Sequence, residues 1–391
     1  MDDHEDYAAA MSKAMDTCTR RLSGVPRGTI GDGLRGLAEQ AAALDAETRS
    51  AYGLDAVPDA YGNGVVATLE RRVAELLGTQ DAAYFPTGTM AQQVAFRCWA
   101  RETGDNTVAT HPLAHPEVHE RHAYRDLTGL RGVWPTKEPR NATAEEVAEC
   151  AEPFGLLALE LPLRDAGFVL PTWTELEAVT AAARERGARV HFDGARLWET
   201  TVHFGRPLPE IAGLADSVYV SFYKSLGGMS GAAVGGPAAF VAEMKTWRHR
   251  YGGQIFQQWP AVLSALLGLD RELPRLPEYV AHARTVAAAL AAGSASVPGA
   301  RVFPEPPYTH QFRLYAPYDA DALRRAAVDL VADTGIGLFG FWAPAPLPGH
   351  AFTEVTVAEA ALDWKPEEIT AAWSDLLARA ARHARALPIH D

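Results

Sequence analysis

The chain has 391 residues, 48% hydrophobic and 22% charged, which excludes a largely disordered polypeptide and leaves length for two or three domains with full cores. Its 36 Lys and Arg against 49 Asp and Glu give a net charge of -13, the wrong sign for general attraction to nucleic-acid phosphates or anionic lipid. The opening MDDHEDYAAAMSKAMD is acidic and amphipathic rather than basic then apolar, and no window reaches about 18 consecutive apolar residues, so a cytoplasmic protein without nucleic-acid or membrane partners is expected.

Taken in chain order, residues 65–79, VVATLERRVAELLGT, place apolar side chains at helical spacing and stop at Gly78. AAYFP (82–86) reads as a strand, and TGTMAQQVAFRCWARETG restarts a helix. Strands are then expected at GLLALELP (155–162), ARVHFDGA (188–195) and DSVYVSFY (216–223), with a helix over 172–187 capped by Thr172 and stopped by Gly187. Alternation of this kind predicts an α/β fold with a mainly parallel sheet covered by helices. RELPRLPEY (271–279) breaks a long helical stretch, and beyond it come a helix, a strand pair in ARVFPEPP and HQFRLYAP, and helices at 320–333 and 365–386. The expected organisation is an N-terminal helical segment (1–40), a large domain (41–255) and a smaller α+β domain (256–391). Cys18, Cys98 and Cys150 are too scattered for a disulfide framework or a metal knuckle and are expected to be buried thiols.

Four local patterns carry chemistry. Lys224 ends the apolar run SVYVSFY and precedes SLGGMSGAAVGG. A lysine at a buried strand end is costly unless paired or used covalently, as in Schiff-base chemistry, while a solvent-facing strand end is the plain alternative. Asp193 and Arg196 follow another strand in HFDGARLW; strand ends of a parallel sheet share one crevice, so Asp193 could face a protonated pyridine nitrogen or form a structural pair with Arg196. Thr87, Gly88 and Thr89 open a helix after a strand, which suits either a phosphate seat or an ordinary cap. His111, His115, His119 and His122 have metal-like spacing, but Pro112 and Pro116 interrupt it. No metal is expected, with one or two histidines lining a pocket and the rest at the surface.

In this order, TGTMAQQ, HPEVHE, HFDGARLW and SFYKSLGG resemble the threonine aldolase branch of the β-eliminating lyase-like family of fold-type I enzymes, which use pyridoxal 5'-phosphate (PLP). DAYGNGVVATLERRVAELLG and DAGFVLPTWTELEAV extend the likeness over roughly residues 55 to 260. The resemblance implies that Lys224 carries the cofactor and Asp193 holds its pyridine nitrogen protonated. Gly88 and Thr89 would bind the phosphate, and His115 would stack on the ring near the substrate hydroxyl, supported by Glu120. Arg196 would contact the substrate carboxylate. It implies a PLP-dependent lyase cleaving a β-hydroxy-α-amino acid to glycine and an aldehyde, or the reverse, assembled as a homodimer or homotetramer. A β-eliminating or aminotransferase-type reaction and a non-catalytic PLP-binding protein are the alternatives.

The chain departs from that family's pattern in places. The N-terminal Ser-Asp-Thr stretch has no counterpart, the nearest segment being GTIGDGLRG, and Glu160-Leu161-Pro162-Leu163 stands where Glu-Asn-Thr-His is expected. Arginines expected near Phe256 and near Thr353 and Glu354 are absent. A bulkier substrate than threonine is therefore expected, with Phe341 and Trp342 as packing partners; a preference for threonine would instead point to groups such as His310 and Arg313 supplying the missing contact.

Overall fold

The computed structural model describes residues 2–24 and 29–386. The chain forms two compact units, Gly28–Leu276, and Met1–Arg27 with Pro277–Asp391. The division falls inside the Pro-marked stretch 271–279 rather than at 255/256, because the helix Trp259–Arg271 packs with the large unit through Val262, Leu266 and Leu269 and is stopped before Leu273-Pro274. The N-terminal helix Asp2–Met15 belongs to the smaller unit's core through Met11 and Ala14, so residues 1–40 are not a separate segment.

The large unit is built on seven strands: β1 (Asp81–Phe85), β2 (Thr107–Ala109), β3 (Arg131–Val133), β4 (Leu156–Glu160), β5 (Arg189–Gly194), β6 (Ser217–Ser221) and β7 (Ala232–Gly236). Their order is β1-β7-β6-β5-β4-β2-β3, parallel from β3 through β6, with β7 antiparallel to both neighbours. Sequence reading missed β2 and β3, which are three residues each and too short to show a period. It also assigned no strand to AAVGG. Here Gly235 and Gly236 are strand residues because a Cβ would press on Thr79 Oγ1 at 2.7 Å and on Phe240 at 3.1 Å.

Helix α1 (Val65–Leu77) buries Val66, Leu69, Val73 and Leu77 at helical spacing and ends where Gly78 turns left-handed at φ 67°. Its buried Glu70 is satisfied by Arg248 at 2.8 Å, Lys245 at 3.0 Å and the Tyr84 N–H at 2.9 Å. Helix α2 (Gly88–Thr103) lies on the sheet in a core of Phe85, Val94, Phe96, Trp99, Tyr219 and Phe240, with Trp99 stacked on Phe240 at 4.1 Å. Each such fully buried side chain contributes about 1.5–3 kcal/mol. The one-turn helix α3 (His115–Val118) follows β2, and α4 (Trp173–Glu185) starts at Thr172 as the sequence predicts, with Glu175 completing a capping box.

The smaller unit packs helices Leu276–Gly293, Ala320–Thr334 and Pro366–Ala386 on an antiparallel sheet of β8 (Arg301–Phe303), β9 (Gln311–Ala316), β10 (Ala343–Pro344) and β11 (Ala351–Thr356), in the order β10-β11-β9-β8. No helix among the described residues is long and apolar enough to cross a membrane. Cys98 is buried, which pushes its thiol up to about 12, but Cys18 and Cys150 are only half-buried because each sits in a connection rather than under the sheet.

Candidate active site

Three of the parallel strands of the large sheet, read at their carboxyl ends, deliver one cluster of polar side chains. β4 ends in Glu160, β5 in Asp193 and β6 leads through Phe222 and Tyr223 to Lys224; Glu160 and Asp193 are register partners, as are Asp193 and Tyr219. Lys224 rides the connection from β6 to β7, a turn tied by Phe222 N–H to Gly231 O at 3.2 Å and Gly228 N–H to Phe222 O at 2.8 Å. Gly228 is required there, because a Cβ would meet the Phe222 carbonyl at 2.9 Å.

Burial and then the neighbouring Arg196 charge hold Lys224 below the ordinary lysine range, against the pull of Asp193 and Glu160. Glu160 moves the other way: burial first, and the charge of Asp193 second, raise its carboxyl. No salt bridge joins Asp193 to Arg196 among the described residues. The Arg196 guanidinium instead lies 5.4 Å over the Phe168 ring, and its buried Nε has no partner. A buried donor left this way is costly.

Helix α2 opens beside these strands. Thr87 is its N-cap, accepting from Met90 N–H at 3.2 Å, which leaves the first-turn amides of Gly88 and Thr89 without an acceptor inside the helix. The cap is therefore present, and the two amides beside it are open to a further acceptor. Gly88 has to be glycine, since a Cβ would run into the Tyr219 hydroxyl. Tyr219 is buried between Asp193 and this helix, and burial raises its phenol.

His115 is half-buried at the start of α3. Its backbone N–H donates to Glu160 Oε2 at 2.7 Å and its Nδ1 lies 3.1 Å from Glu120 Oε1. Burial alone would lower this imidazole, but the Glu120 hydrogen bond and the Asp193 charge outweigh it and the net shift is upward. Glu120 is buried with its second oxygen unpartnered. Of the other histidines, His111 is structural, with Nε2 2.7 Å from Glu138 O and Nδ1 accepting from Leu113 N–H, while His119 and His122 are exposed. No group of three metal-ligating side chains occurs among the described residues.

The sequence patterns missed Glu160, Tyr219 and Arg164. Arg164 donates its backbone N–H to Glu160 Oε1 at 3.3 Å, and its charge acts on Lys224. The signal for Glu160 was present, since a carboxylate ending an apolar strand poses the same question as Lys224. In the smaller unit, Glu354 is the cross-strand partner of Arg313, with 3.4 Å between Oε1 and Nη2. Trp342 is corrected from pocket lining to core: it is buried against Phe339 and stacks on Trp373 at 6.1 Å.

The family model for beta-eliminating lyases matches residues 32–315. The chain belongs to that beta-eliminating lyase family. It is an enzyme of the aldolase and β-eliminating lyase type. It is 33% identical to a solved structure from Exiguobacterium sp. 255-15, a candidate aromatic amino acid beta-eliminating lyase/threonine aldolase, over 95% of this chain and 99% of that one, with a TM-score of 0.84. A candidate L-allo-threonine aldolase from Listeria monocytogenes EGD-E is 31% identical over the same shares with a TM-score of 0.85. The low-specificity L-threonine aldolase 1 of Arabidopsis thaliana is 29% identical over 250 residues, 60% of this chain and 67% of that protein.

Proposed function

We propose that this beta-eliminating lyase family member is a PLP-dependent carbon–carbon lyase that cleaves a β-hydroxy-α-amino acid to glycine and an aldehyde, or runs the reverse addition. The observation that carries the reading is the strand-end set of Lys224, Asp193 and Arg196, with its suppressed lysine and its orphaned buried guanidinium nitrogen.

The residues present fit the cofactor. Lys224, held toward its neutral form, would carry it; Asp193 would face the pyridine nitrogen; the Gly88 and Thr89 amides at the α2 N-terminus would seat the phosphate. When bound, PLP supplies an electron sink for the bond that breaks at Cα. The remaining work belongs to the chain's own side chains. Arg196 binds the substrate carboxylate through charge-assisted bonds that satisfy its open Nε. His115, tied by Glu120, covers the site and meets the β-hydroxyl, taking its proton directly or through water. Glu160 fixes the start of α3 and the following loop by accepting from His115 and Arg164 N–H.

We place the enzyme in the cytoplasm as a homodimer or homotetramer. Exposed Val57, Tyr61, Ile255 and Phe256 in the large unit support a covering by a second copy.

Two expected carboxylate-binding arginines are absent, at Phe256 and at Thr353. Loss of one charge-assisted contact costs about 1.5–3 kcal/mol, which is roughly ten- to a hundred-fold in affinity. Threonine has little else with which to bind, whereas an aromatic β-substituent adds apolar burial. Incubation with phenylserine should yield benzaldehyde and glycine in equal amounts, with kcat/KM at least about tenfold above that for threonine. Phenylpyruvate with ammonia, or an amino group passed to the cofactor, would overturn the reading.

A further inference from the structure

The connection from β4 to α4 carries a backbone conformation that its sequence disfavours. Leu163 and Val169 close it through paired backbone bonds of 2.9 and 3.3 Å, and the Arg164 carbonyl accepts from the Gly167 and Phe168 N–H groups at 2.8 and 3.2 Å. The turn so formed has two consecutive residues at positive φ, Gly167 at 105° and Phe168 at 61°. Glycine adopts that region without a clash, whereas a bulky side chain there is an outlier that its surroundings must hold in place. Glycine or asparagine at position 168 would make the same turn at less cost.

What the turn gains from phenylalanine is a ring in a particular place. Phe168 is fully buried, and the Arg196 guanidinium lies over its face, 5.4 Å from the centroid. Arg196 follows the end of β5 and is itself buried, yet its Nε has no partner and no ion pair among the described residues holds it. Arg97, by contrast, lies over Trp247 and is also held by a 2.7 Å bond to the Tyr251 hydroxyl. A long side chain with several rotatable bonds has to be fixed before it presents its planar fork to a carboxylate at low entropic cost. An aromatic face, with its negative quadrupole, fixes a guanidinium without occupying any of its N–H donors.

We propose that Phe168 is a positioning residue whose ring face orients Arg196 and leaves the guanidinium donors for the substrate carboxylate, with the left-handed turn setting the ring in place. The proposal rests on the reading of Arg196 as the carboxylate partner and adds the residue that aims it. Phe168 then acts on the binding of amino acids as a class. The face of the ring is what matters, not its bulk, since leucine fills much of the same space and has no π system.

The test uses the visible absorption of the PLP-loaded enzyme to measure dissociation constants for glycine and for ethylamine, which has the amine without the carboxylate. Phe168→Leu should weaken glycine about tenfold and raise KM for phenylserine by a similar factor, with kcat within about threefold and ethylamine within about twofold. Because leucine also disturbs packing, mono-, di- and trifluorophenylalanine are installed at position 168 in a second series. These keep the shape of the ring and weaken its negative face, so glycine affinity should fall step by step while the thermal midpoint holds. In the cofactor-free chain the Arg196 Nε–H NMR signal, assigned by its loss in Arg196→Gln, should carry a ring-current shift that vanishes in Phe168→Leu. Equal losses for glycine and ethylamine, glycine affinity indifferent to fluorination, or no ring-current shift would overturn the proposal and leave Phe168 as core packing. Glycine bound equally well by Arg196→Gln and the unaltered enzyme would overturn the carboxylate role of Arg196 itself, and this proposal with it.

Discussion

The carboxyl ends of the large sheet and the aromatic core of the smaller unit bury different kinds of group. In the smaller unit Phe339, Trp342 and Trp373 pack at 5.6–6.1 Å; the Trp373 indole N–H is satisfied by Ser294 Oγ at 2.8 Å, and Trp342 Nε1 is buried without a partner. At the strand ends of the large unit the buried groups are ionisable: Arg196 Nε and Glu120 Oε2 are without partners, and Lys224 and Glu160 are pushed toward their neutral forms. A neutral indole left unpaired costs less than a buried charge, and clusters of perturbed ionisable groups mark candidate ligand sites where an aromatic stack does not. The first region accounts for stability, and the second is the candidate site.

The largest expected effect that would break this contrast is on stability. Trp373→Ala removes a fully buried ring and should cost about 3–5 kcal/mol, read as a lower thermal midpoint. The cofactor attachment at Lys224 should survive below that midpoint. An unchanged midpoint would mean that the indole stack is not what holds the smaller unit.

A smaller effect sharpens the contrast inside the large unit, where one buried polar chain runs from Trp99 to Gln92. Trp99 Nε1–H donates to Ser217 Oγ at 2.7 Å; Ser217 donates to His191 Nδ1 at 2.7 Å; and His191 Nε2–H donates to Gln92 Oε1 at 2.8 Å. Burial lowers His191 to about 3 from an ordinary value of 6.5. The unfolded chain takes up a proton below pH 6.5 that the folded histidine refuses until about 3, so this residue makes stability fall with pH across that window. His191→Gln should cost about 1–3 kcal/mol at pH 7.5 through broken hydrogen bonds. Because glutamine does not titrate, the gap to the unaltered chain should narrow in urea unfolding at pH 5. A gap of constant size would show that His191 is not the titrating group.

The sequence made much of this visible, and the parts it hid have physical reasons. Lys224, Asp193 and Gly88 could be picked out because each breaks a local rule: a charge ending an apolar run, or a glycine opening a helix. Helix α1 could be read from its period and its terminal glycine. Strands of three residues and the Ala-Gly strand β7 could not, since their pairing comes from neighbours distant in sequence. The same holds for Glu160, whose meaning lies in a hydrogen bond to His115, and for Phe168, whose partner Arg196 is on another connection. Trp342 was misplaced because an aromatic residue beside glycine and proline looks the same in a pocket loop and in a core. The relation of Arg313 to Glu354 needs the register of β9 with β11, which no local pattern contains.

The most direct test of the central claim is to reduce the PLP-loaded enzyme with borohydride, digest it and locate the pyridoxyl group by mass spectrometry. The account predicts a single label on Lys224, and no stable label or lysine-bound absorption band in Lys224→Ala. A label on another lysine, or an unchanged band in Lys224→Ala, would contradict it.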